Sequence, residues 1–480
     1  MNPLRDVLTN ARLDPDRLAI RGAKTEMTAG DFADAVVRIA AKLRADGLAP
    51  GSVVGLRMDP ILQTAFLAAC MHEGVVSFVA RPDVVTEYAD HIAAVFTDDE
   101  VFATRTPGGV HVGAEWLEST ARTNARIEPI DFPDDESLAH LVFSSGTTGT
   151  PKGVPFSLRD LRTRTAAARD NWMPHLPFFS QLGLDTVSGM QTFFWSLFNS
   201  ETYLVPGTAK TDALLICDAG VRSIKTSPAK LKDLIGAVRE SNADVSGVVT
   251  VEVAGSLLSS AIAESFHDTF AAELVYLYGS TEAGTITRAT FDPSDIQRVG
   301  RVVPTARVEI IDGSGTPLPA GATGTVRLQS DYQATKYWPD GTSSGSFRDG
   351  WFYPGDTGHL DSDGMLVISG RTDELINASG LKINPSWVES HIGDYRGISD
   401  FACFGLTNHD DHTTELALAF VSAAEINVEL FVEFLRGQLG DNCPRHVFRV
   451  SEIPRNPLGK VVRMELARRV HAARAERTEL

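Results

Sequence analysis

The chain has 480 residues, too many for one compact core, so two to four domains are expected. Hydrophobic residues make up 43% and charged residues 22%, the balance of a globular protein and not of a disordered one. A formal net charge of -18 argues against a nucleic-acid binder that relies on phosphate contacts.

The N-terminal stretch MNPLRDVLTNARLDPDRLAI lacks the apolar block of a secretory signal, and no apolar run is long enough to span a bilayer. Cys70, Cys217, Cys403 and Cys443 lie far apart without metal-type pairing, which predicts a reduced, cytoplasmic protein. AGDFADAVVRIAAKLRADGL (29–48) places Phe32, Val36, Ile39, Ala40 and Leu43 on one helical face and stops at Gly47. SVVGLRM then reads as a strand, ILQTAFLAACMHEGV as a helix and VSFVA as a strand. The alternation returns in KLKDLIGAVRES, GVVTVEVAG, AIAESFHDTFAA and LVYLYG, and predicts βαβ units with a parallel sheet.

Beyond about residue 300 the pattern turns β-rich. ARVEIIDGSGTPLPAGATGTVRLQS and DSDGMLVISGR predict hairpins, the second turning at Asp363-Gly364. PSWVESHIGDY, DFACFGL, ELALAFV and VELFVEFLRGQL predict a small α+β domain at the C-terminus. The expected class is therefore α/β. A large domain (1–370) with βαβ sheets and a β-rich subdomain precedes a small mobile α+β domain (371–480).

The most unusual segment is LVFSSGTTGTPKGV (141–154), a strand-like run entering a Ser/Thr/Gly loop with one cation, Lys152. Exposed N–H groups and hydroxyls after a strand suit phosphate oxygens, and a lysine adds a point charge. Walker A spacing fails because Pro151 stands where the second glycine would be, and no GxGxxG dinucleotide fingerprint is present. NHDDH (408–412) has no strict ligand spacing and reads as a polar loop.

SSGTTGTPKG resembles the phosphate loop of the adenylate-forming superfamily of acyl- and aryl-CoA synthetases, firefly luciferase and peptide-synthetase adenylation domains. YGSTEAG (278–284), GWFYPGDTG (350–358), GRTDELINASGLKINPSWVE (370–389) and PRNPLGKVVR (454–463) resemble further motifs of that superfamily, in the same order. The resemblance implies an AMP-forming acid–thiol ligase. Carboxylate oxygen attacks the α-phosphate of ATP, pyrophosphate leaves, and a thiol takes the acyl group. It implies phosphate binding by Ser144, Ser145, Gly146, Thr147, Thr148, Gly149 and Lys152. Gly255 and Ser256 would flank the adenine, Tyr278 stack on it, and Gly279 and Ser280 belong to the same ATP-binding set. Thr281 would bond a phosphate, and Glu282 would hold Mg²⁺, a hard ion that prefers oxygen ligands. Asp356, aided by Arg371, would take the ribose hydroxyls. Lys460 would stabilise charge in the first half-reaction. Rotation at the hinge Asp373 would replace it with Gly380, Leu381 and Lys382 for the thiol step.

The acid is less legible. Pro177-Phe178-Phe179-Ser180 stands where related ligases read P-L-F-H, so Ser180 replaces a histidine. Phe179, Ser180, Gly255 and Gly279 are candidate pocket residues, and the aromatic stretch 172–198 suggests an apolar aliphatic or aryl acid. GLKINPSWVE favours coenzyme A as acceptor. Loading of a carrier-protein phosphopantetheine stands second, and a catalytically silent nucleotide-binding homologue is the alternative of another class.

Overall fold

The computed structural model describes residues 2–120, 128–144, 151–168, 175–340, 345–372, 374–378, 381–392, 395, 397–407, 414–455 and 461–478. Within these, 377–378, 381–382, 390–391, 441 and 474–478 are described by backbone alone. Ser145 to Gly149, Asp373, Gly380, Lys460 and the NHDDH segment lie outside the described residues, as does Trp172.

The first helix read from periodicity forms over Ala29–Ala45, with the Thr28 hydroxyl accepting from the Asp31 N–H at its start. Phe32, Val36, Ile39, Ala40 and Leu43 are buried, and Gly47 follows at φ +84°. Helix Pro60–His72 is different: every residue from Gln63 to His72 is buried. It packs against helix Ala29–Ala45 and strands Val53–Arg57 and Val76–Val79, so it needs no polar face.

Two large sheets carry the fold. The first has the strand order Gly109–His111, Ala94–Thr97, Val53–Arg57, Val76–Val79, Leu138–Ser144, Lys152–Ser157. It is parallel except for the last pair, which is antiparallel. The second begins with four parallel strands, Phe178–Ser180, Ser223–Thr226, Thr250–Ala254 and Glu273–Ser280. It continues through antiparallel strands from Gly284–Thr290 to the hairpin Asp356–Leu360/Met365–Arg371. The β-rich region read beyond residue 300 is thus an extension of this sheet. Its parallel strands all point their carboxyl ends at one edge, where ligands of open α/β sheets bind.

From Ile376 onward the chain closes hydrophobic clusters of its own. Strands Asp400–Thr407, Thr414–Val421 and His446–Arg449 form one sheet beside helices Pro385–Ile392, Val428–Leu439 and Arg463–Thr478. This is the α+β arrangement expected. Asn384 Nδ2 donates to the Ser369 carbonyl at 2.8 Å, and Lys232 Nζ to that of Ser399 at 3.0 Å, joining the two parts. No helix among the described residues is long and apolar enough to cross a membrane.

Candidate active site

The carboxyl edge of the second sheet opens into a cleft of about 2610 Å³, walled by both sheets and by the C-terminal part. That exceeds the roughly 300–1,000 Å³ of a single drug-sized pocket. It leaves room for two substrates side by side.

At one end of the cleft stands Tyr278, near the close of strand Glu273–Ser280. Its hydroxyl donates to Asp356 Oδ2. Asp356 and Arg371 are register partners in one hairpin, and the guanidinium Nη1 lies 3.5 Å from Asp356 Oδ1. Arg371 Nε also lies 3.5 Å from Glu374 Oε1. Burial, and then the Asp356 charge, push the Tyr278 hydroxyl well above its usual range, so it remains a donor.

At the other end, strands Leu138–Ser144 and Lys152–Ser157 pair Ser144 with Lys152 across the mouth of the loop. The Pro151 carbonyl accepts from Tyr88 Oη at 2.6 Å, and the Gly153 carbonyl from the Trp338 N–H at 2.8 Å. The start of the loop's second flank is therefore held on both sides of Lys152. Glu282 is buried on the opposite wall, its Oε1 accepting from Tyr337 Oη at 3.0 Å and more weakly from Ser144 Oγ at 3.5 Å. The Lys152 ammonium sits 5.3 Å above the Tyr337 ring.

Between these ends runs the turn Ser280-Thr281-Glu282. Ser280 Oγ accepts from the Ala283 N–H at 3.1 Å. Gly279 sits at a bulge where a Cβ would lie 2.1 Å from the Gly284 carbonyl oxygen, so only glycine fits. Gly255 has φ +101° and leads into Ser256, whose carbonyl accepts from Tyr276 Oη at 3.3 Å.

Three residues of this arrangement were not read from the sequence. Arg164 is buried between the rings of Phe156 and Tyr332, at 4.7 and 4.9 Å. Its Nη2 donates to the carbonyls of Tyr332 at 2.9 Å and Glu282 at 3.3 Å, fastening the turn from behind. Burial lowers the Arg164 pKa to about 10. The available signal was an arginine on the buried face of helix Leu158–Ala166, beside Leu158 and Leu161. Tyr332 and Tyr337 carried no local signal.

The strand Phe178–Ser180 splits two pocket candidates between its two faces. Phe179 is fully buried in the core behind the second sheet, because alternate strand residues face opposite sides. Ser180 is the register neighbour of Lys225 on the other face of the strand, and its Oγ accepts from the Leu182 N–H and donates to the Leu182 carbonyl, each at 3.2 Å. Neither is part of the cleft wall, whereas Gly255 and Gly279 are. Leu381 and Lys382 lie in the strand Leu381–Ile383. Among the described residues no group of His, Cys, Asp or Glu forms a multi-ligand metal site. One carboxylate, Glu282, faces the cleft beside the phosphate-loop flank. That is the hard oxygen donor suited to an ion whose other ligands come from phosphate and water.

The chain is similar to a fatty acid–[acyl-carrier-protein] ligase, ScoC, from Streptomyces coeruleorubidus, 29% identical over 89% of each chain. It is also 27% identical to an indoleacetate–CoA ligase of Aromatoleum aromaticum, over 94% of this chain and 95% of the relative. The o-succinylbenzoate CoA synthetase of Bacillus subtilis, solved with an acyl-adenylate, superposes with a TM-score of 0.83 over 97% of each chain at 19% identity. An anthranilate CoA ligase, AuaEII, superposes with a TM-score of 0.84 at 18% identity over 98% of each chain. At these identities the structural likenesses speak for the fold. The family model described as AMP-binding enzyme matches residues 7–338, and the chain belongs to that family of adenylate-forming enzymes.

Proposed function

We propose that the protein activates a carboxylic acid with ATP, releasing pyrophosphate, and passes the acyl group of the resulting adenylate to the thiol of coenzyme A. The observation that carries this reading is the single cleft. It gathers Tyr278, Asp356 and Arg371 at one end and Lys152 and Glu282 at the other, from segments up to 219 positions apart (152 to 371).

Tyr278 walls the adenine, and Asp356, held by Arg371, accepts from the ribose hydroxyls. Lys152 and the loop Ser144 to Gly149 take the β- and γ-phosphates, with Thr281 on a phosphate oxygen. Glu282 holds Mg²⁺, which neutralises phosphate charge when bound. The carboxylate and the α-phosphate are both anionic, so the protein's task is to position them and screen their repulsion. Lys460 supplies a fixed cation for that step. Residues 371–480 act as the mobile domain, turning at Asp373 so that Gly380 to Lys382 replace Lys460 for thiol attack.

The acyl-carrier-protein ligase among the relatives favours a second reading, with a carrier-protein phosphopantetheine as acceptor. Acid-dependent exchange of labelled pyrophosphate into ATP tests the adenylation step. Thioester formation with free CoA against a loaded carrier protein separates the two acceptors. Absence of exchange over a broad panel of acids would overturn the reading in favour of a silent nucleotide binder.

A further inference from the structure

One buried cluster beside the cleft has no part in the reading above. Lys225 and Glu252 are direct register neighbours on adjacent parallel strands, and Val275 continues the row. Lys225 is 3% exposed and Glu252 fully buried. Their strand neighbours Ile224, Val251 and Val253 face the other side, into the core. Lys225 and Glu252 therefore point to the side occupied by Phe178, Trp195, Val275 and Leu277, a small apolar cluster against which Ala254 packs. Lys225 and Ala254 both belong to the cleft wall.

Among the described residues no donor reaches either carboxylate oxygen of Glu252. Arg288 Nη2 is 3.6 Å from Oε1, in ion-pair range but beyond a hydrogen bond. The Ser223 hydroxyl and Arg288 Nε are likewise buried without a partner among the described residues. A buried carboxylate with no donor on either oxygen is costly and uncommon in a finished core. Burial accordingly raises the Glu252 pKa and lowers that of Lys225. Glu252 precedes Gly255 by three residues, which at about 3.3 Å per residue puts the cluster roughly 10 Å below the strand ends where adenylation is placed. That is the reach of a small aryl or short-chain acid lying with its carboxylate at the strand ends.

We propose that Lys225 and Glu252 form the polar floor of the acid pocket and select a carboxylic acid that carries a hydroxyl or amino group at the end remote from its carboxylate. The group donates to Glu252, and a hydroxyl also accepts from Lys225, while Ala254 and Leu277, both on the cleft wall, flank the apolar middle of the acid. The inference rests on the adenylation reading and narrows its acid from purely apolar to apolar with a polar tip.

The test is pyrophosphate exchange with matched acids: benzoate, cinnamate, 3-phenylpropionate and hexanoate, each alone and with a terminal hydroxyl or amino group. The wild type is expected to favour the substituted member of a pair by roughly tenfold to a hundredfold in kcat/KM, the value of a hydrogen bond to a charged group. The double variant Lys225→Met/Glu252→Leu replaces the pair by apolar groups, an exchange that buried ion pairs often tolerate. The Arg288 side chain it leaves is 35% exposed and reaches water. This variant is expected to abolish or reverse the preference with the KM for ATP unchanged. Should it be insoluble, Glu252→Gln keeps the shape and is expected to lower the amino-to-hydroxyl ratio. Equal use of both members of every pair, or a preference that the variants leave intact, overturns the polar floor while adenylation stands. No exchange with any acid overturns the adenylation reading, and this inference falls with it.

Discussion

Arg164 offers the sharpest test of how the site is held. Its guanidinium touches no reacting atom in the proposed chemistry, so Arg164→Leu removes only the support of the Thr281-Glu282 turn. The bond to the Tyr332 carbonyl at 2.9 Å is the strong one. The Glu282 carbonyl also accepts from the Ala334 N–H at 2.8 Å and stays satisfied without Arg164. One charge-assisted hydrogen bond is worth about 1.5–3 kcal/mol, and stacking on two rings adds about 1 kcal/mol. Against this, Arg164 Nε and Nη1 are buried without partners among the described residues, and relief of that cost returns part of the loss. A net destabilisation of about 2 kcal/mol follows, visible as a lower urea midpoint with unchanged slope. The effect on rate should be larger, because a shift of about 1 Å in a positioned group can cost about a hundredfold. Pyrophosphate exchange at saturating acid, with Mg²⁺ titrated, is the assay. A folded Arg164→Leu protein with wild-type exchange at every Mg²⁺ concentration would refute the claim that this buried cation sets the position of Glu282.

Tyr337→Phe removes the hydroxyl on Glu282 but keeps the ring under Lys152, so about a tenfold rise in the Mg²⁺ concentration needed for exchange is expected, with stability nearly unchanged. Lys460→Ala is expected to slow adenylation about a hundredfold or more while transfer from a supplied acyl-adenylate continues; equal slowing of both steps would count against its assignment. Glu73 gives a pH prediction remote from the site. Burial alone would raise its pKa, but His72 Nδ1 at 2.7 Å and a two-pronged Arg44 at 2.6 and 2.8 Å outweigh burial and lower it from 4.5 to about 2. A depressed carboxylate pKa stabilises the fold above the unfolded value and loses that effect as pH falls toward the folded value. Glu73→Gln should therefore cost about 3 kcal/mol at pH 7 and close to nothing at pH 2, read from urea midpoints across that range.

Much of this molecule is local in origin. Helix Ala29–Ala45 follows from the spacing of five apolar residues and a threonine cap, and hairpin Asp356–Leu360/Met365–Arg371 from Asp361 to Gly364 at its turn. The motif residues are also local, because a loop on phosphate or a tyrosine beside adenine needs its particular side chains at fixed spacing. Phe179 shows where such reading stops. A strand of three residues, Phe178–Ser180, gives no register by itself, and a shift of one residue exchanges pocket for core.

The sequence by itself determined the class of fold, the family and the segments that meet at the cleft, since each rests on contiguous residues. Tertiary structure alone decided which residues hold those segments in place. Arg164 reaches the Glu282 turn across 118 positions, Tyr337 reaches Glu282 across 55, and Lys225 meets Glu252 only because two parallel strands align in one register. A buried charge has no periodic signature, since its partner is fixed by how sheets and helices stack and not by spacing along the chain. The polar floor of the pocket was therefore invisible until the strands were paired.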